Sequence, residues 1–226
     1  FMKKFISIVP TSKITSLLGD REFVGQLWFD WLNTNDINFT IRVKNNHIVT
    51  NHKGKRFRVK KLFYKSSNTA RFLKHKINIS GVQLYISGMR LPDNIWLIVV
   101  TNHDHNDSLA RYKLRWGIEC LFRHLKTKGF NLESTHINST EKIETLVGLI
   151  TLTVIWLHKI GETIVIEEPI NIKTHGRKEK SIFRVGIDMM RTALLNIDSN
   201  FKQLTRYFNI FYESILRMFD EGILTT

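Results

Sequence analysis

The stretch SLARYKLRWGIECLFRHLKTK, residues 108–128, decides how the rest of the chain is read. It reads as one helix, with Asp107 or Ser108 as N-cap and Gly129 as stop signal. Advancing each residue by about 100° places Tyr112, Arg115, Glu119 and Lys126 within a stripe about 60° wide. Leu114, Ile118, Leu121, Phe122 and Leu125 form an adjoining apolar stripe about 100° wide, which is expected to face the core. A carboxylate, two cations and a phenol thus line the edge of a buried face. That order could lay a phosphodiester backbone along the helix. An ordinary Arg115–Glu119 salt bridge one turn apart accounts for the same spacing.

Upstream, residues 3–9 read as the tail of a helix ending at Pro10. Ile14–Leu18 is a short apolar run that leads into Gly19, Asp20, Arg21 and Glu22, a strand with a carboxylate at its rim. Phe23–Leu32 has apolar residues at helical spacing: Phe23, Leu27, Trp28, Trp31 and Leu32. Phe39–Val43 alternates and reads as another strand. From Asn45 to Thr101, short alternating runs separated by turn residues predict a β-rich insert of four to six strands, basic on its exposed faces. Downstream, residues 140–160 predict an apolar helix buried on most sides. A basic loop at 173–180 and helices near 181–195 and 201–219 complete the pattern.

The divisions expected are 1–44 (a partial α/β core), 45–103 (the insert), 104–165 (the site-bearing helix and the core helix after it) and 166–226 (the basic segment and last helices). Thirty-four Lys and Arg against 20 Asp and Glu give a net charge of +14, which favours a polyanionic partner, nucleic acid before an anionic membrane surface. The longest nearly uncharged apolar stretch, Leu146–Leu157, is too short to span a bilayer, so no membrane role is expected. The single cysteine, Cys120, excludes an intramolecular disulfide and suits a reducing, cytoplasmic setting. Phe1 precedes Met2, which points to a piece of a longer product.

The spacing Tyr112-x2-Arg115-x3-Glu119-x6-Lys126 resembles the Y-R-E-K signature of insertion-sequence DDE transposases. Asp20-Arg21-Glu22-Phe23 stands where that family places its second aspartate, and the segment His175-Gly176-Arg177 with Lys180–Arg184 looks like its C-terminal basic stretch. The resemblance implies an α/β, ribonuclease-H-like fold, incomplete at its N-terminus, with a β-rich insertion and C-terminal helices. It implies Asp20 and Glu119 as catalytic and metal-holding carboxylates for two Mg2+ or Mn2+ ions. Hard oxygen donors suit such ions. It implies DNA contacts from Tyr112, Arg115, Lys126 and Arg21, and base stacking on Trp96, for which a core tryptophan is the plain alternative. The partners implied are insertion-sequence ends and target DNA, bound by a homodimer. No carboxylate precedes Asp20, so the family's first aspartate is missing and the chain alone is expected to be inactive. A catalytically inactive DNA-binding or assembly remnant is the alternative reading.

Other candidates carry less. His47, His52, His103 and His105 sit in polar turns without a zinc pattern; His124 and His158 read as helix-surface or capping residues. Asp30 and Asp36 read as solvated or capping carboxylates, and Glu22 as a partner of Arg21 or a support for Asp20. Lys53, Lys55, Arg56, Arg58, Lys60 and Lys61 form a dense cationic run on an expected edge strand, with DNA-backbone contact or plain solvation as the two readings.

Overall fold

The structure is a computed structural model that describes residues 2–64, 69–103, 106–123, 130, 132–174 and 176–220. Lys126, His105, His124, Gly129 and His175 lie outside the described residues. The chain forms two compact units, Phe1–Phe122 and Arg123–Thr226.

The first unit is built on a sheet. After α1 (Met2–Ile6), strand β1 (Leu17–Gly19) leads through α2 (Gln26–Thr34) to β2 (Phe39–Arg42). β1 and β2 pair in parallel, Leu17 opposite Phe39, which the intervening helix makes possible. Then come β3 (Ile48–Thr50), β4 (Arg56–Arg58), β5 (Arg71–Phe72), β6 (Ile77–Ile79), β7 (Val82–Arg90) and β8 (Trp96–Thr101). The sequence pattern sets these six strands apart as an insert, yet they continue the sheet: its order is β1-β2-β8-β7-β6-β3-β4, with β5 on β7. β8 is antiparallel to both β2 and β7. Its run of Leu97–Val100 is buried throughout, as a central strand requires. The fold class is mixed α/β, as the sequence implied.

The core of this unit gathers Phe29 and Leu32 from α2 with Phe39, Ile41, Ile86, Ile98 and Val100 from the sheet. Phe29 and Phe39 stack with ring centroids 5.3 Å apart. The buried face of α2 differs from the expected one: Phe23 precedes the helix and is exposed, and Leu27 is 88% exposed. The helix starts three residues later than the periodicity suggested, and Phe29 takes the inward position. Asn102 then fixes the end of α2 to the sheet. Its side-chain oxygen accepts from the Phe39 N–H (3.0 Å), and its amide donates to Asn33 Oδ1 and the Ile37 carbonyl.

The 108–128 stretch is not one helix over its described part. It forms α3 (Ser108–Lys113) and α4 (Trp116–Arg123), separated at Leu114–Arg115. There the N–H groups of Leu114, Arg115, Gly117 and Ile118 bond three residues back, the tighter 3₁₀ pattern. Gly117, a weak helix former, is the second residue of α4 after the break. A buried hydrogen bond from Ser108 Oγ to Ser87 Oγ (2.8 Å) pins the start of α3 on β7. Leu109 and Tyr112 are the buried residues that pack against Leu97 and Val99 of β8. Of the expected core stripe, Leu114, Ile118 and Phe122 are exposed, Leu121 is half-buried and Leu125 lies outside the described residues. β1 ends the strand order, and beside it Leu114 and Ile118 line a largely apolar cavity of about 670 Å3 with Leu17, Leu18, Phe23 and Trp28.

The second unit is helical: α5 (Thr140–Glu167), α6 (Ile182–Leu195) and α7 (Ile197–Asp220). Each packs on the other two around Leu157, Ile160, Phe183, Met190, Ala193 and Tyr207. Gly161 and Gly186 set the α5–α6 crossing, because a Cβ at Gly186 would lie 1.8 Å from the Leu157 carbonyl oxygen. Ser181 caps α6 by accepting from the Arg184 N–H. Helix α5 is not buried on most sides; Leu149, Leu152 and Ile166 are exposed while Ile160 and Ile164 face the bundle. At 28 residues and a mean hydropathy of 1.6 over its best window, it is long and apolar enough to cross a membrane by length and composition, beyond the 146–157 stretch judged from sequence.

Candidate active site

β1 delivers Asp20. Gly19 permits the close approach to β2, since a Cβ there would come within 2.9 Å of the Ile41 side chain. One step on, the Asp20 carboxylate turns back to accept the Arg21 N–H on Oδ1 at 2.8 Å, which fixes its orientation. α3 delivers Tyr112 from the other side of the sequence, and its hydroxyl donates to Asp20 Oδ1 at 3.5 Å. The 3₁₀ turn after α3 delivers Arg115. Its guanidinium reaches Asp20 Oδ2 through Nη2 at 3.1 Å and Glu119 Oε1 through Nη1 at 2.8 Å.

Four of the residues singled out from sequence, Asp20, Tyr112, Arg115 and Glu119, therefore meet in one corner. The Arg115–Glu119 pair also exists as the plain salt bridge it could have been. What that reading lacks is Asp20, which shares the same guanidinium. The Arg115 side chain is 23% exposed and those of Asp20 and Glu119 are 29% and 41% exposed, so the cluster is partly shielded but open to a substrate.

The electrostatics follow from this placement. Burial alone would lower the Arg115 pKa; the hydrogen bond to Glu119, the charges of Asp20 and Glu119, and at high pH that of an ionised Tyr112 outweigh it and hold the guanidinium above its ordinary value. Burial pushes the Tyr112 phenol up and Asp20 adds to the rise, against Arg115 and Arg42. Tyr112 stays a neutral donor and Arg115 a fixed cation.

Arg42 is the residue sequence reasoning missed. It ends β2, lies close enough to the phenol to act on it, and donates through Nη2 to the Trp96 carbonyl at 3.4 Å. It lines two clefts: one of about 460 Å3 with Tyr112, Arg115 and Glu119, the other of about 360 Å3 with Arg21, Lys44 and Trp96. Its only sequence signal is its place at the end of an alternating strand. Trp96 and Arg21 share the second cleft rather than the carboxylate corner. The Trp96 ring already has the Arg90 guanidinium at 5.5 Å and Tyr64 at 6.3 Å. In the basic stretch, Lys180 and Arg184 both pair with Asp188. Glu22 is exposed.

The transposase DDE domain family matches residues 2–156 of the chain. The chain belongs to the DDE transposases. The match runs from α1 into α5, and so includes the strand that carries Asp20 and the turn and helix that carry Arg115 and Glu119. It gives the sheet unit of this transposase a ribonuclease-H-like fold, and its substrate and cofactor classes are those of the family: DNA and divalent metal ions. No curated protein matches the sequence. The donor set fits such an ion in kind, because Asp20 and Glu119 offer hard carboxylate oxygens. In number it falls short: among the described residues no group of three or more His, Cys, Asp or Glu is gathered.

Proposed function

We propose that this transposase cuts and joins DNA strands at the ends of an insertion sequence by a cut-and-paste route, with Asp20 and Glu119 as its catalytic carboxylates. The observation that carries the reading is the single guanidinium of Arg115 held between Asp20 and Glu119, with Tyr112 on the same aspartate. An ordinary surface salt bridge has no need of a third residue from the rim of a distant strand.

Asp20 and Glu119 would hold divalent ions, Mg2+ or Mn2+, which activate the attacking oxygen and steady the leaving one in phosphoryl transfer. Arg115 and Tyr112 orient the phosphodiester. The guanidinium has five N–H donors in a planar fork, so it can serve its two carboxylates and still offer donors to phosphate oxygens. The neutral phenol adds a donor without adding charge. Lys126 and Arg21 contact phosphates, and Trp96, partly buried against the core with Arg90 and Tyr64 beside its ring, stacks a base. Base–aromatic stacking contributes roughly 1–3 kcal/mol.

A two-ion site needs more ligands than Asp20 and Glu119, and among the described residues no third carboxylate joins them, which is the ground for the proposal that the chain as it stands is inactive. The active species is a homodimer on DNA, in the cytoplasm. The same two-carboxylate composition favours one other reading, a DNA-binding or assembly remnant without catalysis. The test is Mg2+- or Mn2+-dependent cleavage of a labelled end duplex by this chain and by a version extended upstream. Activity in the extended protein alone supports the shared site. Activity in the short chain means that another residue completes it here, and the incomplete-site reading falls. Inactivity of both leaves the remnant.

A further inference from the structure

The charge of the chain is not spread over it. From Ile37 through Pro92 there are thirteen Lys and Arg and no Asp or Glu, while the rest of the chain carries twenty-one against twenty. Nearly all of the net +14 therefore comes from β2 to β7. Within that stretch the densest run lies on the β3–β4 hairpin, and β4 ends the strand order opposite β1. Six strand steps separate the two edges, each about 4.8 Å wide.

The hairpin presents its cations in order. Arg56 and Arg58 are exposed on either side of Phe57, which packs against the core, so both point outward by the two-residue period of a strand. Lys53 and Lys55 occupy the tip, and both are exposed. The tip is built rather than loose. Asn51 Oδ1 accepts the N–H groups of Lys53 (3.0 Å) and Lys55 (2.9 Å), and the Gly54 N–H donates to the Asn51 carbonyl at 3.0 Å. Gly54 has φ +75°, a conformation that favours glycine. Among the described residues none of Lys53, Lys55, Arg56 and Arg58 has a carboxylate partner. In the catalytic corner the opposite holds, where Arg115 is neutralised twice.

Charge on an edge strand also prevents sheet-to-sheet pairing, and the exposed Arg56 and Arg58 of β4 already supply it. Four unpaired cations on a fixed hairpin, in a stretch without a single carboxylate, exceed that need. We propose that the β3–β4 hairpin is a second DNA-contact surface, which grips the phosphate backbone of duplex DNA without reading its sequence. No base-reading group is required of it; phosphate contacts fix register and orientation. The proposal rests on the DNA-acting reading above.

The test is duplex binding by the full chain as a function of salt, for wild type and for the variant Lys53→Gln, Lys55→Gln, Arg56→Gln, Arg58→Gln. Each cation that neutralises a phosphate contributes about 0.9 to the log–log salt slope, so removing these side chains lowers the slope by up to about 3.6. The affinities for an end duplex and a random duplex should fall by the same factor. A conservative variant (Lys53→Arg, Lys55→Arg, Arg56→Lys, Arg58→Lys) should keep the wild-type slope, and circular dichroism verifies the sheet in both. An unchanged slope in the Gln variant overturns the hairpin assignment and leaves the transposase reading standing. A loss confined to the end sequence overturns backbone-only contact, and an equal loss on duplex RNA overturns the choice of DNA. Absence of any duplex binding by the wild type overturns both readings.

Discussion

The sheet unit and the helical unit bury apolar surface in different ways. In the first, Phe29, Leu32, Phe39, Ile41, Ile86 and Ile98 are fully enclosed, and the core is continuous from α2 across the strands. In the second, α5, α6 and α7 share a narrow seam fixed by Gly161 and Gly186, and leave Leu149, Leu152, Leu195 and Phe201 exposed. The carboxylate corner stands on the sheet of the first unit, where the rim of β1 holds Asp20 and a second buried cluster of Leu97, Val99, Leu109 and Tyr112 anchors the helix before Arg115. Chemistry that depends on position belongs with the rigid sheet. The helical unit, 157–226 of which lies beyond the family match, carries no such cluster among its described residues.

The sharpest test of that contrast is Glu119→Gln. In cleavage-competent protein it should lower strand cleavage by about 10³-fold or more, equivalent to ~4 kcal/mol of transition-state stabilisation. Duplex binding and thermal stability should stay close to wild type. Single-turnover cleavage is the readout, and cleavage at the wild-type rate would remove Glu119 from the site. Next in size is Phe29→Ala, which empties a fully buried position stacked on Phe39 and should cost about 3–5 kcal/mol in urea unfolding. Hydrogen exchange should then rise in β2 and β8; a loss under 1 kcal/mol would mean that this core is looser than it looks. Gly186→Ala probes the other unit. Its Cβ would meet the Leu157 carbonyl, so α5 and α6 must separate, at a cost of about 1–3 kcal/mol. Exchange should rise in α5 and α6 and stay unchanged in β7 and β8. The reverse pattern would break the division between the two units.

Much of the first unit was legible because it rests on local signals. Alternation marked β2, β7 and β8, and an acidic residue after a short apolar run marked the rim that Asp20 occupies. Helical spacing placed Tyr112, Arg115 and Glu119 on one side, and they remain neighbours although the helix breaks between them. What stayed hidden depends on distant partners. The break at Leu114 and Arg115 accompanies an arginine that serves a carboxylate 95 positions away in sequence as well as one in the next turn. The apolar stripe beyond it looked like core because periodicity reports amphipathicity and not the neighbour; its residues Leu114 and Ile118 line the cavity beside β1 instead. Arg42 gave only its place in an alternating strand and Asn102 no pattern, since their roles come from the pairing of β2 with β8. In α5 the apolar run correctly marked a helix, and composition could not say that only one edge would be covered.

The smallest effect tests the hairpin side of the sheet by pH. His47, between β2 and β3, shares a 3.2 Å hydrogen bond with Ser80 Oγ, and burial lowers its pKa from the ordinary 6.5. The folded state therefore binds a proton less readily than the unfolded state. Stability from the neutral ring is fully present above about pH 6.5 and is lost as pH falls through the lower folded value. Between pH 7 and pH 5 the wild type should thus lose more stability than His47→Gln, which keeps a hydrogen-bonding side chain without a titrating ring. The difference is read from paired urea titrations at the two pH values, with exchange at β3 and β6 as the local readout, because Val49 of β3 pairs with Ile79, the residue before Ser80. Equal pH dependence in the two proteins would mean that the ring is as well solvated as in the unfolded chain. The Ser80 contact would then lend the hairpin nothing that its cations, Asn51 and Gly54 do not already supply.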